Sequence, residues 1–186
     1  MKKIVFALAA VAMAICAQAA SIDWSVTANT WTLDGGTKPA KGTTVYLIDT
    51  ASLAAITSAI DGGTTSFTTS DVGVLSVATT ANTKGQITTT SATSSALTAG
   101  TSYNVAYMVI QDGKYFVSGA QSVTAYDPTD PVYSEPQAVT FAAGAFSNPL
   151  TPGGWTDAGG GTPEPTSGLL LLVGGAMLAL RRKQKK

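Results

Sequence analysis

Short runs of apolar β-formers, separated by Gly, Asp and Pro, recur between residues 22 and 141, and one stretch breaks their rhythm. The clearest is Tyr103–Ser118, where Tyr-Asn-Val-Ala-Tyr-Met-Val-Ile-Gln meets Asp112-Gly113 and Lys-Tyr-Phe-Val-Ser follows. Asp-Gly between apolar β-formers predicts a two-residue hairpin, because a type I′ turn needs positive φ at both positions. That register pairs Ile110 with Tyr115, Val109 with Phe116 and Met108 with Val117. Both faces of Ala106–Ile110 are apolar, so this strand is expected at the centre of a sheet, covered on both sides.

Upstream, Ile22–Leu33 reads as a strand or a broken strand. Trp24 and Trp31 are seven residues apart, which puts them on opposite faces of an unbroken strand; a bulge near Asn29 resolves this. Asp34-Gly35-Gly36 turns the chain, and Thr43–Ile48 and Val72–Val77 read as further strands. Between those two the period changes. Leu53, Ile56 and Ile60 fall at helical spacing, Asp49 to Ser52 offer N-caps and Gly62-Gly63 ends the segment, so one short helix is expected over 51–60. Thr79–Ala99 is rich in Thr and Ser and reads as an exposed hairpin around Lys84-Gly85 or a partly mobile loop. Ser122–Tyr126 and Gln137–Phe141 read as late strands flanking Asp127-Pro-Thr-Asp130-Pro. The expected fold is mainly β: a small antiparallel β-sandwich with one short helix.

Leu97-Thr-Ala-Gly100-Thr-Ser-Tyr103 resembles the turn that opens strand F in fibronectin-like and immunoglobulin-like sandwiches. The resemblance implies that the Tyr103 hydroxyl bonds back across the corner. An ordinary half-buried strand tyrosine is the competing reading.

Both ends of the chain carry topogenic patterns. Lys2 and Lys3 precede the apolar stretch Ile4–Cys16, and Ala17-Gln18-Ala19 follows. This is the layout of a secretory signal peptide, residues 1–19, cut between Ala19 and Ala20. It implies the Sec translocon and signal peptidase as partners. Cys16 lacks the preceding residues of a lipobox. At the other end, Ser167–Leu180 holds 14 uncharged residues. As a helix it spans about 21 Å, short of a hydrocarbon core of about 30 Å. Arg181, Arg182, Lys183, Lys185 and Lys186 then hold the C-terminus on the cytoplasmic side, and flanking cations that snorkel let a short span be accommodated. Pro163 and Pro165 keep the approach extended.

Pro163-Glu164-Pro165, the apolar run and the Arg-Arg start of the tail together resemble the PEP-CTERM sorting signal of Gram-negative bacteria. The resemblance covers residues 163–186: the motif 163–165, a membrane helix 167–180 and a basic tail 181–186. It implies cutting by an exosortase, a membrane cysteine transpeptidase-like enzyme, in bacteria that also make exopolysaccharide. This chain is then a substrate, transiently anchored before it reaches the cell surface or matrix.

Trimming changes the charge picture. Residues 20–162 contain four Lys, no Arg, nine Asp and Glu135, so the formal zero of the whole chain becomes about −6 for the body. Nucleic acid is not an expected partner for such a surface. The body has no Cys and no His, which excludes disulfides, Cys/His zinc sites and any internal Cys or His nucleophile. With 27 Thr and 15 Ser in residues 20–162, hydroxyls must solvate most of its surface; O-glycosylation is a corollary. Residues 20–142 are the expected domain, and 143–162, rich in Gly and Pro, a flexible spacer.

Candidate chemistry is thin. Asp127, Asp130 and Glu135 offer hard oxygens for Ca²⁺. Their spacing lacks the Gly and bidentate Glu of a calcium loop, and Asp is an ordinary turn residue. No metal or cofactor is expected. Ten acids in a small body make some carboxylate pair unavoidable, so a glycosidase reading gains nothing from their presence. Trp24, Trp31, Trp155 and the tyrosines can stack on sugars or pack a core; only Trp155 lacks an obvious core to join. The leading expectation is a non-catalytic exported domain associated with exopolysaccharide, the alternative a carbohydrate-binding or adhesive module, and a carboxylate hydrolase comes last.

Overall fold

Asp112 and Gly113 both adopt positive φ, 51° and 74°, and the chain reverses there between β5 (Ser102–Gln111) and β6 (Lys114–Val117). The register is the one the turn requires: Ile110 faces Tyr115, Val109 faces Phe116 and Met108 faces Val117. This computed structural model describes residues 20–142, 150–151 and 154–159. The expected signal peptide, Pro163, Glu164 and Pro165, the apolar run 167–180 and Arg181, Arg182 and Lys183 lie outside the described residues.

The hairpin sits in the larger of two sheets. Its order is β3 (Val74–Thr79), β2 (Thr44–Asp49), β5, β6 and β9 (Thr156–Asp157), with β7 (Gln121–Thr124) also on β5. β6 and β7 share β5 end to end. Between them Ser118 Oγ accepts the Tyr107 N–H at 3.0 Å, so a hydroxyl maintains the backbone pairing where the strand breaks. The smaller sheet has the order β4 (Ile87–Thr93), β1 (Ser21–Val26), β8 (Ala138–Phe141). The ladders are antiparallel, except that β8 runs parallel to β1. The protein is mainly β, and its two sheets face one another across a shared core, an arrangement consistent with a β-sandwich.

Alternation decides which side chains enter that core. Ile22, Trp24 and Val26 from β1 meet Val105, Tyr107 and Val109 from β5. Phe141 of β8 sets its ring edge-on to Tyr107 at 5.1 Å. The opposite face of β5 is apolar as well, and the helix covers it. Helix α1 (Leu53–Asp61) follows a 3₁₀ turn whose Asp49 carboxylate accepts the Ala51 N–H, and turns Ile56 and Ile60 onto Tyr46, Ile48, Ala106 and Met108.

Trp24 and Trp31 end in the same core because the strand stops. β1 closes at Val26, and Asn29, in the left-handed region at φ 60°, swings the chain back. The Trp31 indole N–H then donates to Gly85 O at 3.0 Å. Segment 79–99 departs from the expected exposed hairpin. A turn does form around Lys84-Gly85, yet β4 leaves β3 and pairs with β1 in the other sheet. Residues 154–159 depart from a free spacer, since they lie on the domain and carry β9. A chain pinned by a sheet ladder is not a random coil.

Candidate functional site

The returning C-terminal segment and the β5–β6 turn enclose a groove of about 220 Å³, lined by Leu33, Asp34, Thr37, Gln111, Asp112, Lys114 and Trp155. The Asp-Gly turn fixes Lys114 at the first position of β6. The 3₁₀ turn Asp34–Gly36 brings Asp34 to it, and β9 brings Asp157. Lys114 Nζ donates to Asp34 Oδ2 at 2.6 Å and lies 3.4 Å from Asp157 Oδ1. Trp155 packs its ring against Phe116 at 5.9 Å, and its Nε1–H donates to Thr32 O at 3.1 Å. The indole is thus held at the edge of the core while lining the groove. Gln111 Oε1, also beside it, is buried and accepts no hydrogen bond among the described residues.

The hydrogen bond from Lys114 holds the Asp34 carboxyl below the usual carboxylate range. The same bond, together with that to Asp157, raises the Lys114 ammonium. A general acid for glycoside hydrolysis needs a carboxyl kept protonated to near neutrality, and a lysine nucleophile needs its ammonium destabilised. Both shifts run the other way. The groove presents fixed charges, an amide and an aromatic edge.

Asp127 and Asp130 serve as turn caps. Asp127 Oδ1 accepts from the Thr129 N–H and hydroxyl at 2.8 and 2.7 Å, and Asp130 Oδ1 from the Val132 and Tyr133 N–H groups at 2.7 and 2.9 Å. Glu135 is exposed, and no group of three or more Asp or Glu is gathered among the described residues. The loop folds Tyr133 over Gly100, where ring atoms stand 2.4–2.8 Å from the place a Cβ would take, and φ is +77°. A second hollow of about 250 Å³ lies beneath, between Tyr126, Tyr133 and Gln137. Burial first, and then the Asp23 carboxylate beside it, raise the Tyr126 phenol.

Tyr103 opens β5 as a corner. Its hydroxyl donates to Ala96 O at 3.1 Å and accepts the Thr98 N–H at 3.0 Å. At the N-terminal boundary Ala20 is buried, and Ser21 exchanges backbone hydrogen bonds with Tyr126 at 2.7 and 2.9 Å. The Lys114 cluster was not legible in the sequence. Its partners stand 80 and 43 positions away, and Asp34, Lys114 and Asp157 carry no spacing motif.

No protein-family model, curated protein or solved structure matches the chain.

Proposed function

We propose that this chain is an exported protein, cut by an exosortase at its PEP-CTERM signal, whose body is a non-catalytic β domain of the cell surface or extracellular matrix. The supporting observation is where the described elements lie in the chain. β1 begins at Ser21, one residue past the Ala19/Ala20 junction, and the last described contact of the body is Gly159 N–H to Asp61 Oδ1 at 3.1 Å. Trimming between Ala19 and Ala20 and near Pro163 therefore leaves every described strand and the helix whole. The Tyr103 corner supports assigning the body to the fibronectin-like or immunoglobulin-like sandwiches. Its acidic, hydroxyl-rich surface suits a hydrated polysaccharide environment better than an anionic membrane or nucleic acid.

Expression with and without the sorting enzyme, followed by intact mass of the product, tests this reading. Expected is an N-terminus at Ala20 in both strains and loss of the tail only where the enzyme is present. A tail retained in both strains overturns it. Mass above the sequence value reports O-glycosylation of the body.

A second reading, a carbohydrate-binding or adhesive module, draws on Trp155 beside Asp34, Gln111 and Lys114. A glycan array probed with and without Ca²⁺ tests it, with Trp155→Ala as control. A blank array counts against binding.

A further inference from the structure

Residues 150–151 and 154–159 lie along β6, the strand that the hairpin leaves at the margin of the large sheet. Leu150 N–H donates to Val117 O at 3.1 Å, and Thr151 is buried against the same residue. Further on, Lys114 faces Asp157, Tyr115 faces Thr156, and Ala158 N–H donates to Gly113 O at 2.7 Å. Trp155 caps Phe116, and Gly159 closes on Asp61. Only residues 160–162 separate that last contact from Pro163. Four steps of fully extended chain reach at most about 14 Å.

We propose that Trp155–Gly159 is a latch that ties the chain to the domain four residues short of the cut site, and that processing passes through the unlatched state. This rests on reading Pro163–Pro165 as the exosortase motif. A transpeptidase-like enzyme must seat extended chain on both sides of the bond it cuts, and a 14 Å tether leaves the folded body in the way. The latch is built to open. It has two strand residues at a sheet margin, an exposed ion pair and one half-buried indole, the kind of unit that detaches at far lower free energy than a core strand. Once it opens, the nearest buried anchor among the described residues is Thr151, and twelve residue steps extend to about 40 Å.

The decisive experiment follows tail loss by gel mobility in cells carrying the sorting enzyme, using the full chain. Trp155→Ala removes the indole anchor and is expected to raise the cutting rate about tenfold, in proportion to the open fraction. The opposite arm locks the latch. Because Ala158 N–H bonds Gly113 O, the next pair, Lys114 and Asp157, is the non-hydrogen-bonded one, where side chains lie closest. Lys114→Cys with Asp157→Cys therefore meets the geometry of a disulfide, in a body without other cysteines. Oxidised, this variant is expected to be cut at least about tenfold more slowly than the same protein reduced. Equal rates in the oxidised and reduced forms overturn the latch even if Trp155→Ala folds poorly. If the unmodified chain keeps its tail in the presence of the enzyme, the processing reading falls, and the latch with it.

Discussion

The large sheet has two buried faces, and they are buried by different means. Its inner face, with Val45, Leu47, Val105, Tyr107, Val109 and Phe116, meets a second sheet. Its outer face, with Tyr46, Ile48, Ala106, Met108, Tyr115 and Val117, meets one nine-residue helix and Phe67. Both faces carry aromatic rings, but Tyr107 and Phe116 on the inner face are fully buried between the sheets, while Tyr46, Tyr115 and Phe67 outside keep 4–8% of their surface exposed. Outside, α1 can settle onto whatever lies below it. A face closed by a sheet cannot relax when a side chain is lost, whereas a face closed by a short helix can.

Truncations sharpen this contrast most. Phe116→Ala, on the inner face, is expected to destabilise by about 3–5 kcal/mol in urea unfolding, since the gap it leaves stays open. Ile60→Ala, beneath the outer face, should cost about 2–3 kcal/mol, the lower part of the range for buried aliphatics, because α1 can move inward. Equal losses would break the comparison.

Alkaline pH probes the same two faces with less force. Burial pushes the Tyr107 phenol well above its ordinary value. Tyr115 is also raised, by burial first and then by Asp61. Above pH 10 an unfolded phenol ionises while the native one keeps its proton. The native state then binds more protons, and stability falls by up to about 1.4 kcal/mol per pH unit for each such group. Tyr107→Phe should flatten the alkaline limb of a stability–pH profile, and Tyr115→Phe should flatten it less. A larger effect from Tyr115 would contradict the tighter closure of the inner face.

At the rim of the inner core, Tyr103→Phe removes two hydrogen bonds to backbone groups that water can reach. A loss of about 1 kcal/mol is expected from the urea midpoint. Smallest of all, Lys114→Ala should leave that midpoint unmoved, because exposed ion pairs contribute little to global stability. A clear shift would mean that the groove at the margin of the sheet belongs to the core.

The same contrast separates what could be read in the residues from what could not. The β5–β6 register was legible because Asp112-Gly113 permits essentially one tight turn, and a two-residue turn leaves no freedom in pairing. The helix over 53–61 was legible because Leu53, Ile56 and Ile60 share a period no strand can satisfy. The destination of β4 was not. Ile-Thr-Thr-Thr-Ser-Ala-Thr buries only Ile87 and Ala92, so little in it distinguishes an edge of one sheet from an edge of the other. Trp155 was singled out as lacking a core, yet Phe116 supplies one from 39 positions away. The groove around Lys114 was hidden for the same reason, as its charges come from three separate turns and strands.

What the sequence determined by itself is local: turn types, the helical period, the two-sided burial of β5 and the charge asymmetry of body and tail. Each follows from the conformational limits or polarity of neighbouring residues. Tertiary structure alone decided that β8 lies parallel beside β1, that β4 pairs in the other sheet from β3 and that residues 154–159 of the expected spacer lie on the margin of β6. Those choices depend on which surfaces remain uncovered once the hairpin and helix have formed, and no short stretch of chain encodes that.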